Sequence, residues 1–357
     1  MNIDSRIKSF VTLGNFLKQF SKDGVRQNDN ELNALFYIDF EELIKKVNIY
    51  NQWFVEDNVR IAIAAITDSL NEEDLVEWIS KYINQLSVNK EPKKVAVIMA
   101  GNIPIVGFHD MLCVLLSGNK FVGKLSSDDK YLLPFVAKVL IAIEPSFADY
   151  IEFTEGQLKN MDAVIATGSN NSARYFDYYF GKYPHIIRKN RNSAAVLTGS
   201  ETAEELKLLA KDIFYYFGLG CRNVSKLFVP KGYVFDTFYE SMFHYKEIAN
   251  NNKYANNYEY NRTVYLMADT PSLLDNNFLL LKDDAGYSSP IGVLFYEYYD
   301  DLELLNKRLE TDKEQIQCIV SNSSAIKNTV AFGDAQFPGL SDYADGVDTM
   351  KFLTELI

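Results

Sequence analysis

Apolar residues recur at helical spacing over roughly the first 90 residues of the chain, and their spacing changes after Lys93. Leu75, Trp78 and Ile79 stand three and four positions apart, as residues on one buried face of a helix do. After Lys93, short apolar runs alternate with helical stretches. This alternation predicts a mostly helical N-terminal region followed by the strands and helices of a doubly wound parallel sheet.

Strand-like runs define the first part of the alternating region. They fall at residues 95–99, 121–124, 151–153, 163–166 and 193–197. The stretches between them predict helices over 104–117, 131–143 and 172–180. A longer helix is predicted over 201–217, because Thr202 and Glu205 have the spacing of a capping box and Gly218 stands where a helix favours a C-terminal glycine.

The last third of the chain carries a second group of strand-like runs. They fall at residues 225–229, 263–266, 293–296 and 316–320. The asparagine-rich segment 250–261 predicts a loop or an insertion. We therefore expect a second α/β lobe after the first sheet.

Composition limits the classes of protein to consider. A length of 357 residues, 47% of them hydrophobic, allows two domains with sizeable cores. A formal net charge of -12 and the lack of a basic stripe argue against a nucleic-acid binder. The N-terminus lacks the pattern of a signal peptide and no apolar run reaches the length of a membrane span, so we expect a cytoplasmic protein.

The cysteines differ in their sequence surroundings. Three cysteines, far apart, do not predict a disulfide framework, and none has metal-ligand spacing with a histidine, so no metal site is expected. Cys113 lies in an apolar helix and Cys318 in an apolar strand, which predicts two core residues. Cys221 lies instead on the glycine-rich segment 218–223, between a predicted helix and a predicted strand. An exposed thiol close to backbone N–H groups is what a nucleophilic cysteine requires.

Three further motifs precede this cysteine. An Asn-x-Pro turn at 102–104, a Lys-x-Ser strand end at 124–126 and a Gly-Ser turn at 168–169 follow one another before Cys221. This order resembles that of the aldehyde dehydrogenase superfamily. Within the superfamily the chain is most similar to bacterial fatty acyl-CoA reductases of the luminescence type, the LuxC family.

The likeness to the LuxC family rests on particular stretches and covers roughly residues 93–350. These stretches are residues 218–230, 332–338 and 345–348. The resemblance implies an aldehyde dehydrogenase-like α/β fold, with a Rossmann-type dinucleotide-binding domain and a second α/β catalytic domain. The dinucleotide-binding domain, together with the helical N-terminal region, would span residues 1–195. The catalytic domain with Cys221 would span 196–335, and the segment 336–357 would pack back on the body. Residues 87–92 leave little room for the hairpin that bridges subunits in the larger family.

The resemblance gives a role to each motif. Cys221 would be the nucleophile, and the Asn102 side-chain amide and the Cys221 N–H would stabilise the oxyanion. Asn102 is also an ordinary residue for a turn after a strand. Arg222 is next to the nucleophile and could favour its thiolate, although neighbouring side chains often point apart. A histidine partner for Cys221, His109 or His185, stays open.

The remaining motif residues would bind the cofactor. Lys124, with Ser126 in the same motif, resembles the lysine that contacts the cofactor ribose, and Gly168 and Ser169 resemble the turn that binds the pyrophosphate at a helix N-terminus. Without the resemblance, Lys124 could equally be an ordinary strand-end lysine in water, and Gly168 and Ser169 could form a turn for purely local reasons. Members that prefer NAD often carry a glutamate where this chain has Ser127. A serine can donate to a 2′-phosphate, which favours NADPH as the cofactor.

One departure from the family pattern concerns water activation. Hydrolytic aldehyde dehydrogenases carry a glutamate in a Glu-Leu-Gly-Gly motif, and the matching stretch 187–193 has no acidic residue. A thioester on Cys221 would then be protected from water, as an acyl-CoA reductase requires.

The expected function is NADPH-dependent reduction of a long-chain fatty acyl-CoA, or of an acyl-protein thioester, to a fatty aldehyde. An acyl-transferring protein or a synthetase is a possible partner. Two alternatives lie within the same superfamily. One is an enzyme that reduces an acyl phosphate, and the other is an enzyme that oxidises a semialdehyde. A cysteine acyltransferase without a redox step is the alternative from another class.

Overall fold

The computed structural model describes residues 1–86 and 91–356. Contacts divide the chain into two compact units. Unit 1 comprises Met1–Lys189 and Phe337–Ile357, and unit 2 comprises Asn190–Gln336. Most of the short connection predicted at 87–92 lies outside the described residues. Among the described residues, no helix is both long and apolar enough to cross a membrane.

Unit 1 begins with the predicted helical region. Its helices are α1 (Ile3–Leu17), α2 (Ile38–Lys46), α3 (Glu56–Asp68), α4 (Glu72–Ser80), α5 (Ile83–Leu86), α6 (Phe108–Leu116), α7 (Leu132–Ile143) and α8 (Asn170–Phe180), with α13 (Thr349–Thr354) near the C-terminus. Phe10, Leu13 and Leu17 of α1 are fully buried at spacings of three and four. The first helices thus contribute an apolar face to the core, as their periodicity predicted.

A parallel sheet lies at the centre of unit 1. Its strands are β1 (Lys94–Ile98), β2 (Lys120–Lys124), β3 (Ile151–Thr154), β4 (Ala163–Thr167) and β5 (His185–Arg188). The described strands follow the order β3-β2-β1-β4-β5 and pair in parallel. The chain leaves β1 towards β2 and β3, then crosses to β4 and β5. The carboxyl ends of β1 and β4 therefore form a topological switch point, where open α/β sheets bind their ligands.

The helix predicted over 104–117 starts later than expected. Residues 104–107 form a turn, and α6 begins at Phe108. Ile105 has a φ of 56°, a left-handed conformation that a β-branched residue rarely adopts. Helical periodicity could not indicate this because Ile105 is itself buried and apolar.

Unit 2 contains the second α/β lobe. Its helices are α9 (Ala203–Phe214), α10 (Asp236–Met242), α11 (Asn252–Met267) and α12 (Leu302–Thr311). Its strands are β6 (Asn192–Val196), β7 (Val224–Pro230), β8 (Leu274–Asp275), β9 (Leu280–Asp283), β10 (Val293–Tyr299), β11 (Ile316–Val320) and β12 (Thr329–Val330). Among the described residues they form one sheet of order β12-β11-β6-β7-β10-β9-β8, with only β8 and β9 antiparallel.

The boundary between the units differs from the domain boundary proposed after residue 195. Strand β6 pairs with β7 and β11 and therefore belongs to the sheet of unit 2. The compact unit accordingly begins at Asn190. The segment Phe337–Ile357 belongs to unit 1.

Two predictions in unit 2 are wrong. Residues 250–261 were expected to form a loop and 263–266 a strand, but α11 spans most of the first stretch and all of the second. Asn251 caps this helix by accepting a hydrogen bond from the Tyr254 N–H, and Tyr254 and Tyr258 are buried one turn apart. These tyrosines anchor the helix although it has no continuous apolar stripe.

A buried ion pair connects the C-terminal segment to the sheet of unit 1. The Arg188 guanidinium at the end of β5 donates to both carboxylate oxygens of Asp110, at 2.7 and 2.8 Å. It also donates to Thr349 Oγ1 on α13, at 3.0 Å. All three side chains are buried. The bidentate geometry offsets the cost of burying both charges.

We expect Thr349→Val to lower the free energy of unfolding by about 1.5–3 kcal/mol, because a buried cation loses one acceptor. Thr354→Val is the matched control on the same helix, since the Thr354 hydroxyl donates to the neutral carbonyl of Lys351. Chemical denaturation of both variants measures the difference. An equal effect of the two substitutions would show that the Arg188 contact does not stabilise the C-terminal segment.

Candidate active site

The predicted nucleophile lies on a turn in unit 2. Cys221 is exposed and follows a short 3-10 helix, Tyr215–Gly218, which continues α9. Strand β7 begins three residues later, at Val224. The capping box predicted for α9 is present, formed by Thr202 and Glu205. The thiol therefore sits between a helix and a strand that are both part of the unit 2 framework.

The backbone before Cys221 is left-handed over three consecutive residues. Tyr216, Phe217 and Gly218 have φ values of 52°, 57° and 77°. The two aromatic residues pay a conformational cost of about 1–3 kcal/mol each in this region. Their side chains are buried, which holds them in place. Strained backbone of this kind persists where the surrounding structure over-determines it, and here it leads into the turn that carries Cys221.

Asn223 holds the two sides of this turn together. Its Nδ2 donates to the carbonyls of Asp212 and Tyr215, at 3.0 and 2.8 Å, and its Oδ1 accepts from the Gly220 N–H at 2.8 Å. The side chain is only 1% exposed. A buried amide with both ends bonded fixes the end of α9 relative to Cys221.

Two other side chains fix the turn from its flanks. Ser193 of β6 donates to the Cys221 carbonyl at 3.0 Å. The Arg222 Nε donates to the Ala335 carbonyl at 2.7 Å. The backbone that carries the thiol is thus bonded to β6 on one side, and the next residue is bonded to the 332–336 turn on the other.

The two other cysteines differ from Cys221 and from each other. Cys113 is fully buried in α6, and burial raises the pKa of its thiol well above the usual value. Cys318 is only half-buried, and its Sγ lies 3.1 Å from Ser193 Oγ. Cys318 packs against the hydrophobic core of unit 2, as its apolar strand predicted, although it is less buried than Cys113. It lies at an irregularity in the pairing of β11 with β6.

In unit 1, the predicted oxyanion and cofactor residues gather at one edge of the sheet. Asn102 follows β1, Lys124 ends β2 and Gly168 follows β4. The register places Ile98 beside Lys124 and beside Ala166, so the three strand ends are level. This edge is the switch point described above, and the motifs that precede Cys221 in sequence converge on it.

The Asn102 turn is held by a buried carboxylate. Asn102 is exposed, and three residues later the strained Ile105 donates its N–H to Asp129 Oδ2 at 2.9 Å. Burial raises the pKa of Asp129 to about 6, although hydrogen bonds from backbone N–H groups, that of Ile105 first, oppose the shift. Asp129 thereby stabilises the unusual backbone of the segment that carries Asn102.

A second buried side chain connects the turns after β1 and β2. Asn51 Nδ2 donates to the carbonyls of Gly101 and Asp128, at 3.4 and 3.2 Å. A Cβ on Gly101 would stand 2.5 Å from Ser126 Oγ, so the close approach of the turns requires glycine. Ser126 is thus packed against the Asn-x-Pro turn, while Ser127 is exposed.

The Lys124 side chain reaches the loop after β3. Its ammonium donates to the carbonyls of Glu155 and Gly156, the latter at 2.6 Å. The lysine is therefore held at the carboxyl edge of the sheet by backbone acceptors. These contacts are exposed, and the assignment of Lys124 to the cofactor ribose stays a prediction.

The Gly-Ser turn starts helix α8. Ser169 is the N-cap, and its Oγ accepts from the Ser172 N–H at 3.2 Å. A Cβ on Gly168 would stand 2.8 Å from the Cβ of Ser172 and 2.9 Å from the Phe176 ring. The turn therefore needs glycine for close packing of helix on strand, as the glycine turns of dinucleotide-binding folds do.

The two histidines considered as partners for Cys221, His109 and His185, have hydrogen-bond partners within unit 1. His109 Nε2 lies 3.1 Å from the Leu340 carbonyl and its Nδ1 3.8 Å from Cys113 Sγ, and burial lowers the pKa of the ring. His185 begins β5, at the opposite edge of the sheet from Asn102. Among the described residues, no group of three or more His, Cys, Asp or Glu side chains is arranged to hold a metal ion.

No sequence motif identifies the buried residues that hold these turns. They are Asn51, Asp129, Ser193, Asp212 and Asn223. Asp212 could have been predicted from the sequence as a buried acid with a partner. It stands among Leu209, Ala210 and Ile213 on the buried face of α9, where an acid must be hydrogen-bonded or paired. For Asn51 and Asp129 the partners are distant in sequence, and no local pattern indicates them.

Comparisons with known proteins agree with this architecture. The chain matches the family model described as acyl-CoA reductase (LuxC) over residues 23–241, which is more than half of its length. No curated protein matches it in sequence. Among solved structures, the chain is similar to aldehyde dehydrogenase 21 from Physcomitrella patens in complex with the reaction product succinate, with 12% identity and a TM-score of 0.66, over 99% of this chain and 84% of that one.

Two further solved structures show the same fold. An indole-3-acetaldehyde dehydrogenase in complex with NAD+ has 14% identity and a TM-score of 0.64, over 93% of this chain and 76% of that one. An aldehyde dehydrogenase from Bacillus cereus in complex with NAD+ has 14% identity and a TM-score of 0.61, with the same coverage of 93% and 76%. The aldehyde dehydrogenase-like fold predicted from the motif order is confirmed. With the family model covering most of the chain, this protein belongs to the LuxC family of acyl-CoA reductases, and it is an oxidoreductase.

Proposed function

We propose that the chain reduces a long-chain fatty acyl-CoA to the fatty aldehyde with NADPH, through a thioester on Cys221. The observation that carries this proposal is the exposed Cys221 thiol on a turn fixed by Asn223 and Ser193. A nucleophile held in this way needs no reorganisation before it attacks a carbonyl. Family membership supplies the reaction class.

The carboxyl edge of the unit 1 sheet fits a dinucleotide. The strand order β3-β2-β1-β4-β5 matches the first five strands of a Rossmann-type sheet, and Gly168 leaves no room for a side chain between the strand end and α8. Ser169 caps α8, so the N-terminus of this helix faces the same edge. We assign the pyrophosphate to Gly168 and Ser169 and the ribose to Lys124 and Ser126. The NAD+ complexes of the similar aldehyde dehydrogenases support a nicotinamide dinucleotide.

Each residue of the proposed site has one task. Cys221 Sγ attacks the acyl carbonyl, the bond from that carbon to the CoA sulfur breaks, and CoA leaves as the thiol after gaining a proton. The amide of Asn102 and the Cys221 N–H stabilise the negative charge on the carbonyl oxygen. When bound at this edge, the reduced nicotinamide would supply the hydride needed to convert the Cys221 thioester to the aldehyde, with Cys221 leaving as the thiolate. The stretch 187–193 offers no carboxylate to activate water, so hydrolysis does not compete.

The proposal is tested by incubating the protein with hexadecanoyl-CoA and NADPH. Absorbance of the reduced nicotinamide should fall while hexadecanal and free CoA appear in equal amounts. Activity only with an acyl phosphate or a semialdehyde would overturn the acyl-CoA assignment. Release of CoA without consumption of NADPH would favour an acyltransferase instead. A full activity with a short acyl-CoA and none with hexadecanoyl-CoA would contradict the long-chain assignment.

We attribute the proposed preference for NADPH over NADH to Ser127. We expect Ser127→Glu to lower kcat/KM for NADPH about tenfold or more, because a carboxylate repels the 2′-phosphate, and to spare NADH. Ser146→Glu adds the same charge to the segment before β3, at the opposite edge of the sheet, and serves as the control. Steady-state kinetics with both cofactors measure the ratio. A wild-type enzyme that uses NADH as well as NADPH would contradict the proposed preference.

A further inference from the structure

A buried carboxylate on α9 organises the turn opposite the nucleophile. Asp212 is fully buried, and its two oxygens accept from the Gly333 N–H at 2.7 Å and the Ala335 N–H at 3.0 Å. Residues 332–336 form a turn, in which Gly333 has a φ of 91°. One carboxylate thus fixes two N–H groups of a single turn, the 332–336 turn.

The same turn fixes the residue next to the nucleophile. The Ala335 carbonyl accepts the hydrogen bond of Arg222 Nε at 2.7 Å. Asp212 is therefore connected to Arg222 through one residue of the 332–336 turn. Its own backbone carbonyl also accepts from Asn223 Nδ2, at 3.0 Å. Both residues that follow Cys221 are bonded, directly or through Ala335, to Asp212.

We propose that Asp212 is a positioning residue for the nucleophile: through the 332–336 turn it fixes the Arg222 guanidinium beside the Cys221 turn, where the positive charge favours the thiolate. A nearby cation lowers the pKa of a cysteine thiol and increases its reactivity. Arg222 contacts Ala335 through Nε, and the guanidinium stays positively charged because it does not deprotonate in proteins. The inference rests on the proposed role of Cys221 as the nucleophile.

The arrangement depends on the ionised form of Asp212. Burial raises the pKa of Asp212 to about 7, and the nearby Asp334 adds to the shift, while the Gly333 and Ala335 N–H groups and Lys211 oppose it. Burial and the effects of Tyr215 raise the pKa of Tyr245, and the negative charge of Asp212 contributes to the same rise. Above pH 7 the carboxylate accepts both N–H groups. Below pH 7 protonation weakens these bonds, and the anchor of Arg222 is weakened with them.

The test is the rate of Cys221 alkylation by iodoacetamide, followed on the Cys221 peptide by mass spectrometry between pH 5.5 and 8.5. We expect Asp212→Asn to react about tenfold more slowly than the wild type at pH 8, since an amide cannot accept both N–H groups with a full charge. The two proteins should converge towards pH 6, where the wild-type carboxyl is protonated. A role of Asp212 in stability alone would lower the unfolding temperature of Asp212→Asn and leave the alkylation rate of the folded variant at the wild-type value.

Two other variants complete the experiment. Asp334→Asn removes the same charge from the exposed neighbour in the 332–336 turn and should alkylate at the wild-type rate. Arg222→Lys keeps the positive charge but lacks Nε, so it tests the Arg222 contact even if Asp212→Asn does not fold. It should slow alkylation at pH 8, and adding Asp212→Asn to it should have little further effect.

The outcomes separate this inference from the proposed function. Alkylation needs neither acyl-CoA nor NADPH, so a protein that fails to reduce acyl-CoA can still show the pH-dependent ratio. Wild-type alkylation profiles in both Asp212→Asn and Arg222→Lys would overturn the inference, whatever the enzyme's activity. Additive effects in the double variant would overturn the link between Asp212 and Arg222.

Discussion

Replacing Cys221 with alanine should abolish reduction of acyl-CoA, with a loss on the order of 10⁴-fold or more, because the proposed covalent intermediate forms on the Cys221 thiol. The substitution removes an exposed thiol and leaves the hydrogen bond between the Cys221 carbonyl and Ser193 in place. The fold and nucleotide binding should therefore be retained. In one preparation, labelling with radioactive acyl-CoA measures formation of the acyl-enzyme, thermal unfolding measures the stability of the fold, and NADPH fluorescence measures nucleotide binding.

Cys318→Ala is the control for this experiment. Cys318 is the other cysteine of unit 2 and is half-buried, and its Sγ contacts the serine that supports the Cys221 turn. We expect its alanine variant to be acylated to the wild-type extent. Equal labelling of Cys221→Ala and the wild type, or loss of labelling only in Cys318→Ala, would refute the assignment of the nucleophile.

Replacing Asn102 should give the second largest effect. We expect Asn102→Ala to lower kcat about 10²–10³-fold, the usual loss when an oxyanion donor is removed. KM for acyl-CoA should change little, because the interaction forms with the charge that develops in the reaction. Steady-state kinetics, with single-turnover acylation as a second measurement, test this expectation.

The isosteric variant Asn102→Asp distinguishes the loss of the hydrogen-bond donor from a change in side-chain shape. It keeps the size of the side chain but cannot donate and adds negative charge, so it should be at least as impaired as Asn102→Ala. Because Asn102 is exposed, both variants should unfold at nearly the wild-type temperature. Near wild-type activity of Asn102→Asp would show that the amide does not stabilise the oxyanion, and Asn102 would then be an ordinary turn residue.

Much of the fold could be predicted because buried parallel strands are continuous apolar runs. Strands β1, β4 and β7 lie within one residue of their predicted positions for this reason. The glycines that end them were equally visible. Gly101 and Gly168 are required because neighbouring side chains leave no room for a Cβ at these positions, so a glycine follows the end of β1 and of β4.

Other elements depend on contacts that no local pattern shows. Helix α11 is anchored by Tyr254 and Tyr258 within a polar, asparagine-rich sequence, so its periodicity is weak. The left-handed backbone at Ile105 depends on Asp129, which is distant in sequence. Local propensity alone would continue a helix through this turn.

The two predicted site turns share one physical arrangement. Each has strained, left-handed backbone beside it, and each is supported by a buried carboxylate with a raised pKa: Asp129 for the Asn102 turn and Asp212 for the Cys221 turn. Motifs could locate Asn102 and Cys221 along the chain. They could not identify the carboxylates, because a buried acid is recognised only by the N–H groups that surround it.

The central claim is that Cys221 carries an acyl group that is released as aldehyde. The most direct measurement treats the protein with hexadecanoyl-CoA, removes free acyl-CoA, and determines the mass of the Cys221 peptide before and after addition of NADPH. We predict that the peptide gains one acyl group, that the acyl group is stable in buffer, and that NADPH removes it with one equivalent of hexadecanal formed. An acyl group on another residue, or its release as free fatty acid when NADPH is added, would contradict the claim.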